Sequence, residues 1–399
     1  MTDVIVIVND EVSISNVIVN KLNERGVLNH LRSYQELSDL NENVKGIITY
    51  KDQKIASVLP VLYIKKLEDI DDQVDVFLSD NKIAKDYTVY TNKLLKDLKE
   101  ELKDKKVILG LSGGVDSSVT AALINKAIGR NLTCILVDHG LLRKNEVEEI
   151  KSAFAKNFDL NLKVIDASSR FLSRLKRVTD PEKKRKIIGN EFVEVFEETK
   201  LLIKDVSYLA QGTIYPDIIE SGKKQADVIK SHHNVGGLPS KMELKLVEPL
   251  KYLYKNEVRL IGEILGLPKS LVNRQPFPGP GLGIRLLGEI TKERLEVLKN
   301  SDFIFRDEIR RHHLDNQIWQ YFTVLTPLKT VGVVNGKRTY EDVLVIRAVN
   351  SLDGMSAKVF PLPYDVLETI VERIIKEVKG VGRVVYDVTP KPLGTIEWE

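Results

Sequence analysis

Leu111-Ser112-Gly113-Gly114-Val115-Asp116-Ser117-Ser118-Val119 is the stretch on which the reading of this chain turns. It follows an apolar run at 107–111, expected to be a buried strand, and precedes a helical pattern over 117–127. Gly113 and Gly114 let the main chain approach an anion closely. Ser112, Ser117 and Ser118 offer hydroxyls, and the helix that follows presents free N–H groups at the positive end of its dipole. The segment suits a phosphate or pyrophosphate. It is not a Walker A loop, because no Gly-Lys-Ser/Thr follows at the required spacing. A strand-to-helix turn that binds nothing is the plain alternative, and three serines with an aspartate on one turn weigh against it.

Outward from the loop, strands expected at 107–111, 132–137, 162–165 and 208–210 alternate with helices at 117–127, 145–157 and 186–200. That alternation predicts a parallel sheet covered on both faces, with ligands beyond the carboxyl ends of the strands. Upstream, a strand at 4–8, a helix ending near Gly26 and a strand at 44–50 make one small β-α-β unit. A charged amphipathic helix over 81–105 bridges to the central domain. Downstream of the Pro/Gly-rich stretch Pro276-Phe277-Pro278-Gly279-Pro280-Gly281-Leu282-Gly283, a helix is expected at 291–312. Strands follow at 319–326, 329–334 and 339–348, the last two joined by Asn335-Gly336, a type I′ hairpin signal. A helix at 364–378 and a strand at 383–388 complete an α+β unit. The fold class is therefore α/β, with a short N-terminal segment (1–85), a parallel-sheet domain (86–275) and a small α+β domain (276–399).

Composition narrows the function. A length of 399 residues suggests two to three domains. Lys and Arg total 60 against 57 Asp and Glu, a net charge of +3, which excludes an overall basic coat for nucleic acid. The single cysteine, Cys134, excludes an intrachain disulfide and a multi-cysteine zinc site, and it fits a reducing compartment. The apolar run at 4–8 is too short for a signal peptide or a membrane span. A cytoplasmic location is expected, with neither membrane nor nucleic acid as partner.

The loop resembles the Ser-Gly-Gly-x-Asp-Ser motif of the pyrophosphate-loop ATPases, which cleave ATP between the α and β phosphates and adenylate an acceptor. The acceptor is suggested by other segments, which resemble the GMP synthase family. They are Pro181-Glu182-Lys183-Lys184-Arg185-Lys186-Ile187-Ile188-Gly189, Ala210-Gln211-Gly212-Thr213-Ile214-Tyr215-Pro216-Asp217, Lys230-Ser231-His232-His233-Asn234, residues 276–285 and Lys391-Pro392-Leu393-Gly394-Thr395-Ile396-Glu397-Trp398-Glu399. The resemblance runs in order over about residues 100–399. It implies an enzyme, a ligase forming a C–N bond, that uses ATP and Mg²⁺. In that scheme the xanthine 2-oxygen of XMP attacks the α-phosphorus of ATP, and ammonia then displaces AMP to leave GMP.

The same resemblance implies roles for single residues. Ser112, Gly113, Gly114, Val115, Asp116, Ser117, Ser118, Val137, Gln211 and Gly212 would bind ATP. Asp116 and Asp217 would lie at the metal, with Glu220 near the reacting phosphate. Lys230, His232 and His233 would belong to a lid that closes on the phosphates. Arg185, Gln320, Arg338, Lys391, Ile396 and Glu397 would bind XMP. Each has a plainer reading: Asp116 as a helix cap, Asp138 after Val137 as a turn residue, Asp217 and Glu220 as a solvated face, the lid cations as surface charge. One departure stands out, because Gly336 occupies a position where the family often has Asp.

Single-chain GMP synthases mostly carry an amidotransferase domain of about 200 residues with a nucleophilic cysteine. Here 85 to 105 residues precede the ATPase and none is cysteine; Cys134 reads as a core residue. The N-terminal unit, with Gly46-Ile47-Ile48 as its second strand, is similar to the start of such a domain, so it is expected to be a truncated amidotransferase-like segment without glutaminase activity. Ammonia is then free or comes from a separate glutaminase subunit, and the family resemblance implies a homodimer. Two other readings compete. A tRNA-modifying adenylase predicts catalytic cysteines and a basic RNA face; a non-catalytic nucleotide-binding regulator predicts a decayed loop.

Overall fold

The computed structural model describes residues 3–8, 12–40, 43–50, 55–81, 83, 87–214, 216–217, 244–251, 253–334, 337–352 and 354–399. Three sheets account for the strands among them. The first holds β1 (Val4–Val8), β2 (Leu28–Arg32), β3 (Val44–Tyr50) and β4 (Val61–Ile64) in the order β2-β1-β3-β4, all parallel. It is larger than the single β-α-β unit expected from sequence. The missed strand β2 reads Leu-Asn-His-Leu-Arg, with no β-branched run to signal it. The Nδ2 of its buried Asn29 donates to Asn23 Oδ1 at 2.9 Å and to the Val27 carbonyl at 3.0 Å, so tertiary context makes this strand rather than propensity.

The second sheet holds β5 (Lys106–Gly110), β6 (Leu132–Asp138), β7 (Asn161–Asp166), β8 (Val206–Ala210) and β9 (Lys245–Val247), ordered β7-β6-β5-β8-β9 and all parallel. Alternate residues feed opposite faces. Ile108, Ile135 and Val137 pack with Ile188, Val195 and Phe196 of the helix Pro181–Leu201. Val107, Leu109, Cys134 and Leu136 pack with Val119 and Leu123 of the helix Val115–Ile128 and with Ile150, Val258 and Ile261. Cys134 is fully buried and burial pushes its thiol pKa up, as its core reading requires. Chain order reverses on either side of β5, so the crevice at its carboxyl end is the topological switch point where α/β sheets bind ligands.

The third sheet holds β10 (Gln320–Val334), β11 (Lys337–Asn350), β12 (Lys358–Val359) and β13 (Val381–Tyr386). β11 pairs antiparallel with β10 and β12 and parallel with β13. The two strands expected at 319–326 and 329–334 are one. Their apparent break is a shift in register between Leu325 and Lys329, where Pro327 lacks an N–H for the ladder. Asn335 and Gly336 lie outside the described residues. The helix Lys292–Arg311 and the helix Tyr364–Glu377 contribute Leu295, Phe305, Ile370 and Ile374 to the same core that covers one face of the second sheet. No helix among the described residues is long and apolar enough to cross a membrane.

Candidate active site

The phosphate-loop sequence forms the expected strand-to-helix turn at the end of β5. Gly113 takes φ +76°, a left-handed conformation that glycine adopts without strain, and a Cβ there would collide with the Ile150 side chain. Gly114 caps the helix Val115–Ile128. Ser112 and Ser117 share a hydrogen bond at 3.0 Å, and Ser117 Oγ donates to the Gly114 carbonyl at 3.1 Å. The loop is buttressed from behind by Arg274, which donates to the Gly113 carbonyl at 2.8 Å and pairs with Glu146. Ser112 and Gly114 are exposed, whereas Ser118 is fully buried and its Oγ has no partner among the described residues. Ser118 is therefore a core position in this conformation rather than an open donor.

Asp116 sits in the first turn of that helix. Its Oδ2 accepts from Lys255 Nζ at 2.6 Å, while its buried Oδ1 has no hydrogen-bond partner among the described residues. Burial, opposed by Lys255 and assisted by the nearby Asp217, raises its pKa. Gln211, Gly212 and Asp217 follow β8. The Gln211 N–H donates to the Val247 carbonyl at 3.0 Å, and the Ile214 N–H donates to Asp217 Oδ2 at 2.9 Å. Gly212 lies so close to the loop helix that a Cβ would stand 3.0 Å from Ser117 N. Asp116 and Asp217 thus share one crevice. No protein-only cage of three metal-ligating side chains exists among the described residues. Two carboxylates, one with a buried open oxygen, fit a Mg²⁺ that takes its remaining ligands from phosphates and water.

Lys255 opens the helix Lys255–Ile264. In its first turn the fully buried Glu257 accepts the Tyr254 N–H at 2.7 Å, and the Asn29 main chain of β2 reaches the same carboxyl. Tyr254 itself packs in the core of the N-terminal sheet. The turn that carries Lys255 to Asp116 is therefore also the turn on which that sheet is docked.

Beyond β6, Val137 is 3% exposed, with its side chain in the core. Asp138 Oδ1 accepts the Gly140 N–H at 2.9 Å, which is the turn role. His139 is buried with its pKa lowered to about 4, mainly by burial, and stays neutral. The Pro/Gly-rich segment crosses here. The Leu282 N–H donates to the Leu141 carbonyl at 2.8 Å. Gly281, at φ +61°, comes so near that a Cβ would collide with that carbonyl.

That segment ends at Arg285, which joins the site to the C-terminal tail. Arg285 is fully buried between the rings of Phe277, at 5.3 Å, and Phe322, at 4.1 Å. It holds both oxygens of Glu397, at 3.0 and 2.7 Å. Gln320 Nε2 donates to the same carboxylate at 3.0 Å and to the Pro276 carbonyl at 3.3 Å. Arg347, also fully buried, donates to the carbonyls of Ile396, Thr389 and Thr395, each at 2.9 Å, and to Asp387 at 2.6 Å. Lys184 and Arg185 hold Glu399, at 2.6 Å each. Lys391 donates to the Gly354 carbonyl at 2.8 Å.

The structure thus brings Arg185, Gln320, Ile396 and Glu397 into one cluster, with Lys391 on the same tail. Arg338 does not join them. It is exposed near the far end of β11 from Val349, the partner of Gln320, roughly 35 Å away along the strand. Glu220, Lys230, His232 and His233 lie outside the described residues. Sequence reasoning missed Lys255, Arg274, Arg285 and Arg347. Arg285 alone carried a visible signal, closing the segment that begins at Pro276.

Comparison with known proteins finds matches to both halves. Residues 87–192 match the NAD synthase family, and residues 307–398 match the GMP synthase C terminal domain. The chain is 60% identical over 302 residues to the GMP synthase [glutamine-hydrolyzing] of Exiguobacterium sibiricum, a stretch that is 76% of this chain and 59% of the relative. It is 58% identical over 303 residues to the enzyme of that name from Limosilactobacillus reuteri, covering 76% of this chain and 59% of the relative. The Thermotoga petrophila enzyme is 58% identical over 308 residues, covering 76% of this chain and 61% of the relative. The chain thus spans about three fifths of the length of the curated relatives it matches.

Proposed function

The chain is homologous to the GMP synthases over 76% of its length, and from that premise we propose that it aminates XMP to GMP at the expense of ATP, releasing AMP and pyrophosphate. The observation that carries the reading is the joining of two half-sites by residues 274–285. Arg274 touches the phosphate loop at Gly113, and Arg285 holds Glu397 on the tail. A site that adenylates one nucleotide with another needs both held on one rigid support.

The residues then divide the work. Ser112, Gly113, Gly114, Val115, Asp116 and Ser117, with Val137, Gln211 and Gly212, form the ATP side, and Ser118 supports the turn from the core. Lys255 and the loop N–H groups face the triphosphate, where positive charge stabilises the departing pyrophosphate. Asp116 and Asp217 would hold Mg²⁺, which would supply charge neutralisation of the phosphates. Arg185, Gln320, Lys391, Ile396 and Glu397 hold XMP with its 2-oxygen toward the α-phosphorus, and Arg285 and Arg347 fix the tail that presents them. Glu220, Lys230, His232 and His233 belong to the closing lid. Arg338, distant within its own chain, reaches XMP from a second protomer, in keeping with a homodimer. Domains at 1–85, 86–275 and 276–399 and a cytoplasmic location complete the reading. Cys134, the one cysteine of these 399 residues, is buried in the core and is no glutaminase nucleophile, so ammonia reaches this site free or from a glutaminase outside these residues.

The test is GMP formation from XMP, ATP and Mg²⁺ with ammonium in one reaction and glutamine in another. Product with ammonium alone is expected. Product with glutamine alone contradicts the assigned ammonia source, and ATP binding without product in either contradicts the enzyme reading.

A further inference from the structure

A cleft of about 1580 Å³ runs behind the phosphate loop, between the helix Glu146–Ala155, residues 268–275 and the end of the helix Lys292–Arg311. Of the residues assigned above to ATP or XMP, none lines it. Trp319 and Tyr321 line it, while the intervening Gln320 turns to Glu397, so the cleft and the tail lie on opposite faces of that strand. Five arginines form its walls: Arg143, Arg259, Arg274, Arg306 and Arg310, against the carboxylates Glu148, Glu149 and Asp315.

Charge in the wall is only partly compensated, because Arg143 and Arg306 share one buried carboxylate, Asp302. Arg143 is 4% exposed, and its Nε stands 3.8 Å from Asp302, too far for a hydrogen bond. The facing Asp302 oxygen is already taken by Arg306 at 2.8 Å. Neither Nε nor Nη2 of Arg143 has an acceptor among the described residues, and the same holds for Nη2 of Arg306 and Nε of Arg259. Arg274 and Arg285 beside them are paired with Glu146 and Glu397, so one guanidinium in the cluster is left over. Burial, opposed by Asp302 and assisted by the like-charged Arg306, Arg274 and Arg285, lowers the Arg143 pKa to about 9. A buried cation without an acceptor is costly unless an anion completes it.

We propose that this cleft is a second anion site, beside the catalytic crevice, which takes a phosphate-bearing ligand on Arg143, Arg306 and Arg310, while Arg259 faces Asp116 of the crevice. The planar guanidinium fork matches phosphate oxygens two at a time. Inorganic phosphate, pyrophosphate and the phosphates of a nucleotide share this chemistry. Arg274 lines the cleft and also donates to the Gly113 carbonyl. A ligand that draws on Arg274 loosens its hold on the phosphate loop, so occupancy of the cleft raises the KM for ATP.

Trp319 is a built-in reporter, because the only other tryptophan, Trp398, lies on the tail. In the full-length Trp398→Phe variant, Trp319 fluorescence is titrated with inorganic phosphate, pyrophosphate and AMP, each against sodium chloride of equal ionic strength. A saturable change with at least one of them is expected. It should weaken about tenfold in Arg310→Ala, the loss of one charge-assisted contact, and persist in Ser112→Ala. Thermal shifts of the unaltered chain under the same additions give an independent readout. Equal responses to chloride mean an adventitious ion only and overturn the proposal. So does a response lost in Ser112→Ala but kept in Arg310→Ala, or no response by either readout at about 10 mM, a weak-binding limit.

Discussion

The two halves of the candidate site are made of different materials. The phosphate-loop half is local: consecutive small residues, Ser112 to Ser118, fold into a turn whose conformation is set by Gly113 and by main-chain capping. The tail half is assembled from long cationic side chains far apart in sequence, with Arg285 and Arg347 clamping residues 395–397. A local half is specified by backbone chemistry and fails by strain. A clamped half is specified by buried charge and fails by loss of a partner.

The largest test of that contrast is Arg347→Met. It removes the cation paired with Asp387 and the side-chain donor to three carbonyls, of Thr389, Thr395 and Ile396, and losing one partner of a buried charge network costs about 3–5 kcal/mol. Denaturant unfolding should show that loss. XMP affinity should fall with it while ATP affinity holds; equal loss of both would mean the halves are not separable. Next, Gly113→Ala places a side chain at φ +76° against Ile150, a strain of about 2 kcal/mol. Calorimetry should find ATP affinity reduced roughly 30-fold and XMP affinity unchanged.

The docking of the N-terminal sheet sharpens the comparison through pH. Burial raises the Glu257 carboxyl from 4.5 to about 8. Between those values the folded chain holds a proton that the unfolded chain has released, so the group's contribution is complete below about 4.5 and is lost as pH rises toward 8. Unfolding midpoints of the native chain should decline across that window more steeply than those of Glu257→Gln; parallel profiles would contradict the assignment. The smallest effect is expected for Ser118→Ala. Its Oγ is buried without a partner, so stability and ATP affinity should shift by less than about 0.5 kcal/mol. A tenfold loss of ATP affinity would instead make Ser118 a phosphate donor after loop rearrangement.

The same contrast decides what was legible in the sequence. The strand-to-helix turn at 112–118, the parallel sheet and the core position of Cys134 follow from local pattern, and the structure bears them out. The tail stood out as a resemblance, but its clamps did not: nothing near Arg347 in sequence announces Asp387 or Thr395. Lys255 and Arg274 were equally silent, since an isolated cation acquires meaning only when folding sets it against Asp116 or Gly113. β2 was hidden by its polar Asn29 and His30, and Pro327 made one strand look like two. Arg338 carries a role proposed from the resemblance, and its own chain's geometry leaves it at a distance from the tail.

The central claim is that the phosphate loop and the tail form one site in which the XMP 2-oxygen attacks the α-phosphorus of ATP. Its most direct test uses XMP carrying ¹⁸O at the 2-position, with ammonium, ATP and Mg²⁺, followed by mass analysis of the AMP formed. The oxygen that attacks phosphorus leaves with AMP when ammonia displaces it, so one ¹⁸O in the AMP phosphate for each GMP is the predicted result. AMP without label would show that ATP is cleaved by water, and the joined half-sites would not be the site of the reaction.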